Sequence, residues 1–93
     1  MDYVLIIHEV ASYCLWKDIF DKAAKLRKDA GEIRYQLLRY ETDANQIVHF
    51  SQWSSLEKAR QFFESPALIE IRQQAGVKAP NFLYLHQIEQ EVL

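Results

Sequence analysis

Histidine is the side chain whose charge changes between pH 5 and 8 without help from its surroundings, and this chain has three, His8, His49 and His86. A neutral imidazole in a dry pocket can take a proton as a general base or orient a ligand. The more ordinary role for a histidine in a sheet is to lie half-buried with its ring satisfied by a hydrogen bond. Both readings stand for all three, with His8 as the candidate base. No metal site is expected, because no carboxylate or thiolate is spaced to complete a recognised ligand set. His8-Glu9-Val10-Ala11-Ser12 begins like HExxH but ends in serine. It also falls in a strand-like run, whereas that motif needs a helix to put both histidines on one face. The GxSxG elbow, the phosphate-cradling GxxxxGK[ST], CxxC pairs and GxGxxG are all absent.

Trp16, Phe20, Phe62 and Phe63 are the largest side chains that helices could aim at a sheet. In a small domain such residues build the core, and the same residues can wall an apolar small-molecule cleft that needs only a few convergent polar groups. His8, Tyr35, His49, Trp53, Arg72 and Tyr84 could supply those groups. Arg34, Arg39 and Arg72 read most simply as surface or dimer-interface charges, though Arg72, on the second helical segment, could hold an anion. Cys14 reads as a small buried apolar residue.

The elements that must position these residues follow from periodicity. The β-branched run Tyr3 to Val10 is a strand. Ser12 caps a helix whose apolar positions Trp16, Ile19, Phe20, Ala23, Leu26 and Ala30 recur at spacings of three and four, and Gly31, with a positive φ, stops it. Glu32 to Glu41 and Gln46 to Trp53 are strands joined through Thr42-Asp43-Ala44-Asn45. Ser54 with Glu57 forms a capping box for a helix carrying Leu56, Ala59, Phe62 and Phe63. Ser65-Pro66 breaks that helix and restarts it, with Ser65 as cap and Pro66 at the first position. The restarted segment carries Leu68, Ile69 and Ile71 to Gly76. After a loop over residues 76–80, a fourth strand runs from Asn81 to Glu89.

The order βαββαβ implies an α+β, ferredoxin-like fold, a four-stranded antiparallel sheet ordered 4-1-3-2 with the helices on one face. His8, His49 and His86 then lie on adjacent strands, and His8 and His49 become cross-strand neighbours if their pleat faces agree. The first strand is apolar on both faces, Val4 and Ile6 on one and Tyr3, Leu5 and Ile7 on the other. Helices can cover only one, so the second is expected to pack on another copy, giving a homodimer.

Ninety-three residues make one domain, 1–93. Eleven Lys plus Arg against thirteen Asp plus Glu give a net charge of −2, which supplies no counterion-release term for nucleic acid. The third strand, Gln46 to Trp53, also lacks the basic, glycine-containing aromatic motif of RNA-recognition domains. A single cysteine, no basic stretch before the first apolar run and no apolar segment of about 20 residues point to a cytoplasmic protein, with no membrane partner.

The string His8-x-Val10, Tyr13, Trp16-Lys17-x-x-Phe20-Asp21, Arg27 and Gly31 resembles the dimeric α/β-barrel proteins grouped with the antibiotic-biosynthesis monooxygenases. The likeness continues through Asn45, Ser55-Leu56-Glu57-x-Ala59, Phe63, Ser65-Pro66-x-Leu68, Ala75-Gly76-Val77 and Pro80, so it spans nearly the whole chain. It implies a homodimer that binds a hydrophobic or aromatic metabolite between helices and sheet, with cofactor-independent monooxygenase or cyclase chemistry. A non-catalytic binding or regulatory module on the same scaffold is the alternative. With that chemistry His8 is the base; the candidate ligand contacts, read from residue type and placement, are Tyr13, Trp16, Phe20, Tyr35, His49, Trp53, Phe62, Phe63, Arg72, Tyr84 and His86. No cofactor is expected: the haem-degrading branch uses a tryptophan and a histidine on the second helix, where this chain has Arg60 to Ser65 and Ile71-Arg72.

Overall fold

Strand β1 (Asp2–Val10) runs through the middle of the sheet, antiparallel to β3 (Asp43–Trp53) on one side and β4 (Val77–His86) on the other, with β2 (Glu32–Tyr40) outside β3. The computed structural model describes all residues from 1 to 93. The sheet order β2-β3-β1-β4 is the expected ferredoxin-like order read from the opposite edge. Pleating sends Val4, Ile6, His8 and Val10 toward the helices, where all four are buried. Their neighbours on that face are Ile47, His49, Ser51 and Trp53 of β3 and Phe82 and Tyr84 of β4.

Two apolar clusters fill the space between sheet and helices. One joins Val4, Ile6 and Trp53 to Leu56, Ala59, Phe62, Phe63 and Leu68, and the other joins Val10 and Ile47 to Trp16, Phe20 and Ala75. The opposite face carries Tyr3, Leu5 and Ile7 beside Val48 and Phe50, all half-buried, and the exposed Leu38, Leu83 and Leu85. In one copy of the chain this apolar face has no cover.

The first helical region is two helices, α1 (Tyr13–Lys22) and α2 (Ala24–Ala30). At Ala23 the backbone N–H is shared between the carbonyls of Ile19 and Phe20, at 3.1 and 3.2 Å. Leu26, expected inside, is 45% exposed, and Arg27 is buried in its place. Seven residues are close to two full turns, so Arg27 lies on the same line as Phe20 and Leu26 lies well to one side. Cys14 is exposed, contrary to expectation, being two residues past the Ser12 cap and off the Trp16–Phe20 stripe.

Helix α2 ends at Gly31, whose φ is +125°. The β2–β3 connection is tighter than expected, Tyr40 pairing with Asp43 across Glu41-Thr42. Helix α3 (Leu56–Phe63) is capped by Ser55, which accepts from Lys58 N, and not by Ser54. Ser54 N instead donates to Gly31 O at 2.9 Å, which ties that residue to the end of α2. Helix α4 (Pro66–Gln74) starts as expected, with Ser65 as cap and Pro66 in the first turn. Strand β4 begins at Val77, earlier than expected, because a bulge absorbs Ala79 and Pro80: two residues of β4 face the single residue His8 of β1, and Ala79 takes a φ of +45°. Proline is tolerated there because β4 is an edge strand. No helix is long and apolar enough to cross a membrane.

Candidate functional site

The two apolar clusters do not meet completely, and a cavity of about 70 Å³ lies where they part. Trp16, Ile19, Phe20 and Ala23 wall it from the first helices, Phe62, Phe63, Leu68, Ile71 and Ala75 from α3 and α4, and Ile6 and Phe82 from the sheet. Four polar side chains reach it: His8, His49, Arg27 and Arg72.

His8 is 5% exposed, and neither ring nitrogen has a hydrogen-bond partner in the protein. Its ring packs on the Trp16 indole, centroids 5.2 Å apart. Burial, reinforced by the charges of His49 and Arg72, lowers its pKa to about 4, so at pH 7 the imidazole is neutral and offers one N–H donor and one bare acceptor. His8 and His49 do share a pleat face. His8 is opposite Ile47, and His49 opposite Ile6, so the two histidines are diagonal neighbours.

His49 is anchored differently. Its Nε2 lies 2.9 Å from Glu32 Oε2, and since an ionised carboxylate can only accept, Nε2 carries the proton. The other Glu32 oxygen accepts from Arg27 Nε at 2.9 Å, and Arg27 Nη1 also donates to Phe20 O. The guanidinium lies over the Phe20 ring, 3.6 Å from its centroid. All three side chains are almost completely buried. Arg27 and Glu32 are the residues of this site that sequence reasoning missed. The available signal was an arginine two turns beyond Phe20 on an apolar stripe, since a charge so placed requires a buried partner.

Arg72 is half-buried on α4, and its Nη1 donates to the carbonyl of Phe63 at 2.9 Å. That carbonyl lies in the last turn of α3 and has lost its helical partner to the break at Ser65-Pro66. The Arg72 guanidinium also lies over the Phe82 ring, Cζ 5.0 Å from the centroid. Burial lowers its pKa without removing its charge at neutral pH.

Of the twelve residues singled out in the sequence, His8, Trp16, Phe20, His49, Phe62, Phe63 and Arg72 therefore line one cavity. The other five do not. Tyr13 packs beside Trp16 and beneath Arg39, and Tyr35 meets Phe20 and His49 edge-on from the rim. Trp53 is core: it is 1% exposed, donates from Nε1 to Ser51 Oγ, and backs the Phe62 and Phe63 rings. Tyr84 is half-buried under Arg60, and burial raises its pKa. His86 is exposed and paired with Asp2 at 2.8 Å. Asp2 is six residues from His8 along β1, which puts the pair roughly 20 Å away at the strand rise of about 3.3 Å per residue. A larger hollow of about 460 Å³ lies against the outer sheet face between Tyr3, Arg34, Phe50 and the segment after β4, but it has no buried titratable group. No three His, Cys, Asp or Glu side chains cluster closely enough to hold a metal ion.

The profile of the family described as antibiotic biosynthesis monooxygenase matches residues 15–74, more than half of the chain. Among curated proteins none matches. Solved structures share the fold at low identity. SnoaB, a cofactor-independent oxygenase from Streptomyces nogalater, superposes with a TM-score of 0.75 at 14% identity, over 96% of this chain and 93% of its own. Rv0793 from Mycobacterium tuberculosis gives 0.68 at 16%, over 99% and 100%. A MhuD mutant with two manganese protoporphyrin IX molecules per active site gives 0.71 at 15%, over 99% of both chains.

Proposed function

The chain belongs to the antibiotic biosynthesis monooxygenase family, and from that premise we propose that it binds a hydrophobic or aromatic metabolite in the cavity between helices and sheet and oxidises it with molecular oxygen, His8 serving as the base. The observation that carries this reading is the His8 imidazole, buried in an apolar cavity with both nitrogens unpartnered. Leaving such a group unsatisfied costs about 1–3 kcal/mol, a cost that a bound ligand with a polar group would remove.

A phenol or enol seated against Trp16 and Phe20 gives its O–H proton to the bare nitrogen of His8, and the imidazolium is stabilised by the anion it has just created. The electron-rich carbon of that anion, which must carry a hydrogen, then bonds to oxygen, and the resulting peroxide takes back the proton from His8. Its O–O bond and the C–H bond break with loss of water and leave a carbonyl, so one oxygen atom stays on carbon and the other leaves in water. The substrate supplies all four electrons, and no separate reductant is required. SnoaB, of the same fold, is a cofactor-independent oxygenase, which supports this chemistry. A porphyrin such as those bound in MhuD does not suit a cavity of about 70 Å³ lined by Phe62 and Phe63.

The same reading includes a homodimer, supported by the uncovered outer face around Leu5, Ile7, Phe50 and Leu83. Oxygen uptake in the presence of phenolic and enolic compounds tests the catalytic part. Wild type is expected to consume oxygen with at least one of them, and His8→Gln to bind that compound without consuming oxygen. Binding by wild type with no turnover of any compound would leave a binding module and remove the enzyme.

A further inference from the structure

The charges around the cavity do not balance. Arg27 and Glu32 neutralise each other, and His49 donates to the same carboxylate. Arg72, by contrast, is in none of the ion pairs of the molecule. A guanidinium has five N–H donors, and the Phe63 carbonyl takes only one of those on Arg72. It is held from two sides, by that carbonyl and by the Phe82 ring, which leaves donors for a ligand. Of the other polar groups that line the cavity, His8 is the one without a partner, and it is 5% exposed. An unpaired cation and an unpaired imidazole facing one apolar cavity form a receptor for negative charge on oxygen.

We propose that the ligand of this cavity is a compact organic acid bound as its anion, the charged oxygen held between Arg72 and the N–H of His8 and the apolar body against Trp16, Phe20, Phe62 and Phe63. This rests on the reading of the cavity as a ligand site and adds a charge and a size to it. About 70 Å³ is smaller than the roughly 150 Å³ of an apolar cavity that takes up benzene, so the ligand can carry no more than a single ring. The second nitrogen of His8 stays free to accept a proton from a more weakly acidic group on the same ring.

Benzoate and benzamide share a shape and differ in charge, so NMR titrations of the full chain with each at pH 7 isolate the inference. Benzoate is expected to bind at least about tenfold more tightly than benzamide, in line with the worth of a charge-assisted hydrogen bond. In Arg72→Gln the two should bind within about twofold of each other, and Arg72→Lys should keep part of the preference because it keeps the charge and loses the fork. The affinity ratio does not depend on how much of a variant is folded. If benzamide and toluene bind as well as benzoate, the cavity is a ligand site but the acid is wrong. If Arg72→Gln keeps the full preference, the charge is read elsewhere and the assignment falls. If none of the three probes binds wild type at millimolar concentration, the ligand-site reading falls with it.

Discussion

Burying His8 without a partner makes the stability of the protein depend on pH in a window that can be stated in advance. The imidazole titrates at its ordinary 6.5 in the unfolded chain and at about 4 in the fold. Between those values the unfolded chain binds the extra proton and the native one does not, so stability falls as pH falls. The contribution is complete above about pH 6.5, drains away as pH drops toward 4, and is gone below it. At about 1.4 kcal/mol per pH unit, the two values correspond to about 3 kcal/mol. That is a large part of the roughly 5–14 kcal/mol expected for a domain of this length. Urea unfolding at pH 7, 6, 5 and 4, followed by the fluorescence of Trp16 and Trp53 at one protein concentration, measures it. His8→Gln provides the reference because it cannot titrate. Other acid-sensitive contacts, such as the Asp2 carboxyl that His86 holds below its usual pKa, cancel in the difference between the two proteins. That difference should shift by about 3 kcal/mol against wild type between pH 7 and pH 4. A difference that stays constant over the range would show that His8 is solvated or hydrogen-bonded and not buried without a partner.

Other expectations concern the frame around the cavity. Gly31→Ala should cost about 1–3 kcal/mol in urea unfolding, because at φ +125° a Cβ would also stand 2.7 Å from Ser54 Oγ. The double variant with Ser54→Gly relieves that contact and should keep most of the loss, so complete recovery would refute the backbone argument. Glu32→Gln leaves Arg27 buried without its counter-charge and should cost about 3–5 kcal/mol, whereas a loss below about 1 kcal/mol in urea unfolding would mean that water reaches the pair. Sedimentation at micromolar concentration should give a species of twice the 11.0 kDa chain mass, with the melting temperature rising with protein concentration. A single monomeric species would remove the dimer.

The sequence carried the fold because its signals were local and mutually consistent. The β-branched run of β1, the spacing of Trp16, Ile19, Phe20 and Ala23, the stop at Gly31 and the restart at Ser65-Pro66 each have one structural meaning, and together they allow one sheet order. The deviations have equally local causes. A proline ordinarily argues against a strand, yet Pro80 is absorbed by a bulge on an edge strand, and β4 therefore starts before it. Leu26 fits an apolar spacing counted from Ala23, yet the phase is set by Phe20, and that phase brings Arg27 inside. Ser54 and Ser55 are both competent caps, and the choice between them depends on the contact of Ser54 with Gly31, two elements away. The site was partly legible. Residue types pointed to His8, His49 and Arg72, but the parity that puts both histidines on one face depends on register. The partnership of Arg27, Glu32 and His49 depends on packing between α2, β2 and β3, which no spacing in the chain displays.

The ring signals of His8, His49 and His86, followed by NMR during a benzoate titration, report whether the ligand binds in the cavity beside His8. The His8 signals should move and saturate, together with the indole signal of Trp16, while His86, exposed and paired with Asp2, stays still. Movement of His86 with Tyr3 and Phe50, and a stationary His8, would place the ligand on the outer sheet face and not in the cavity.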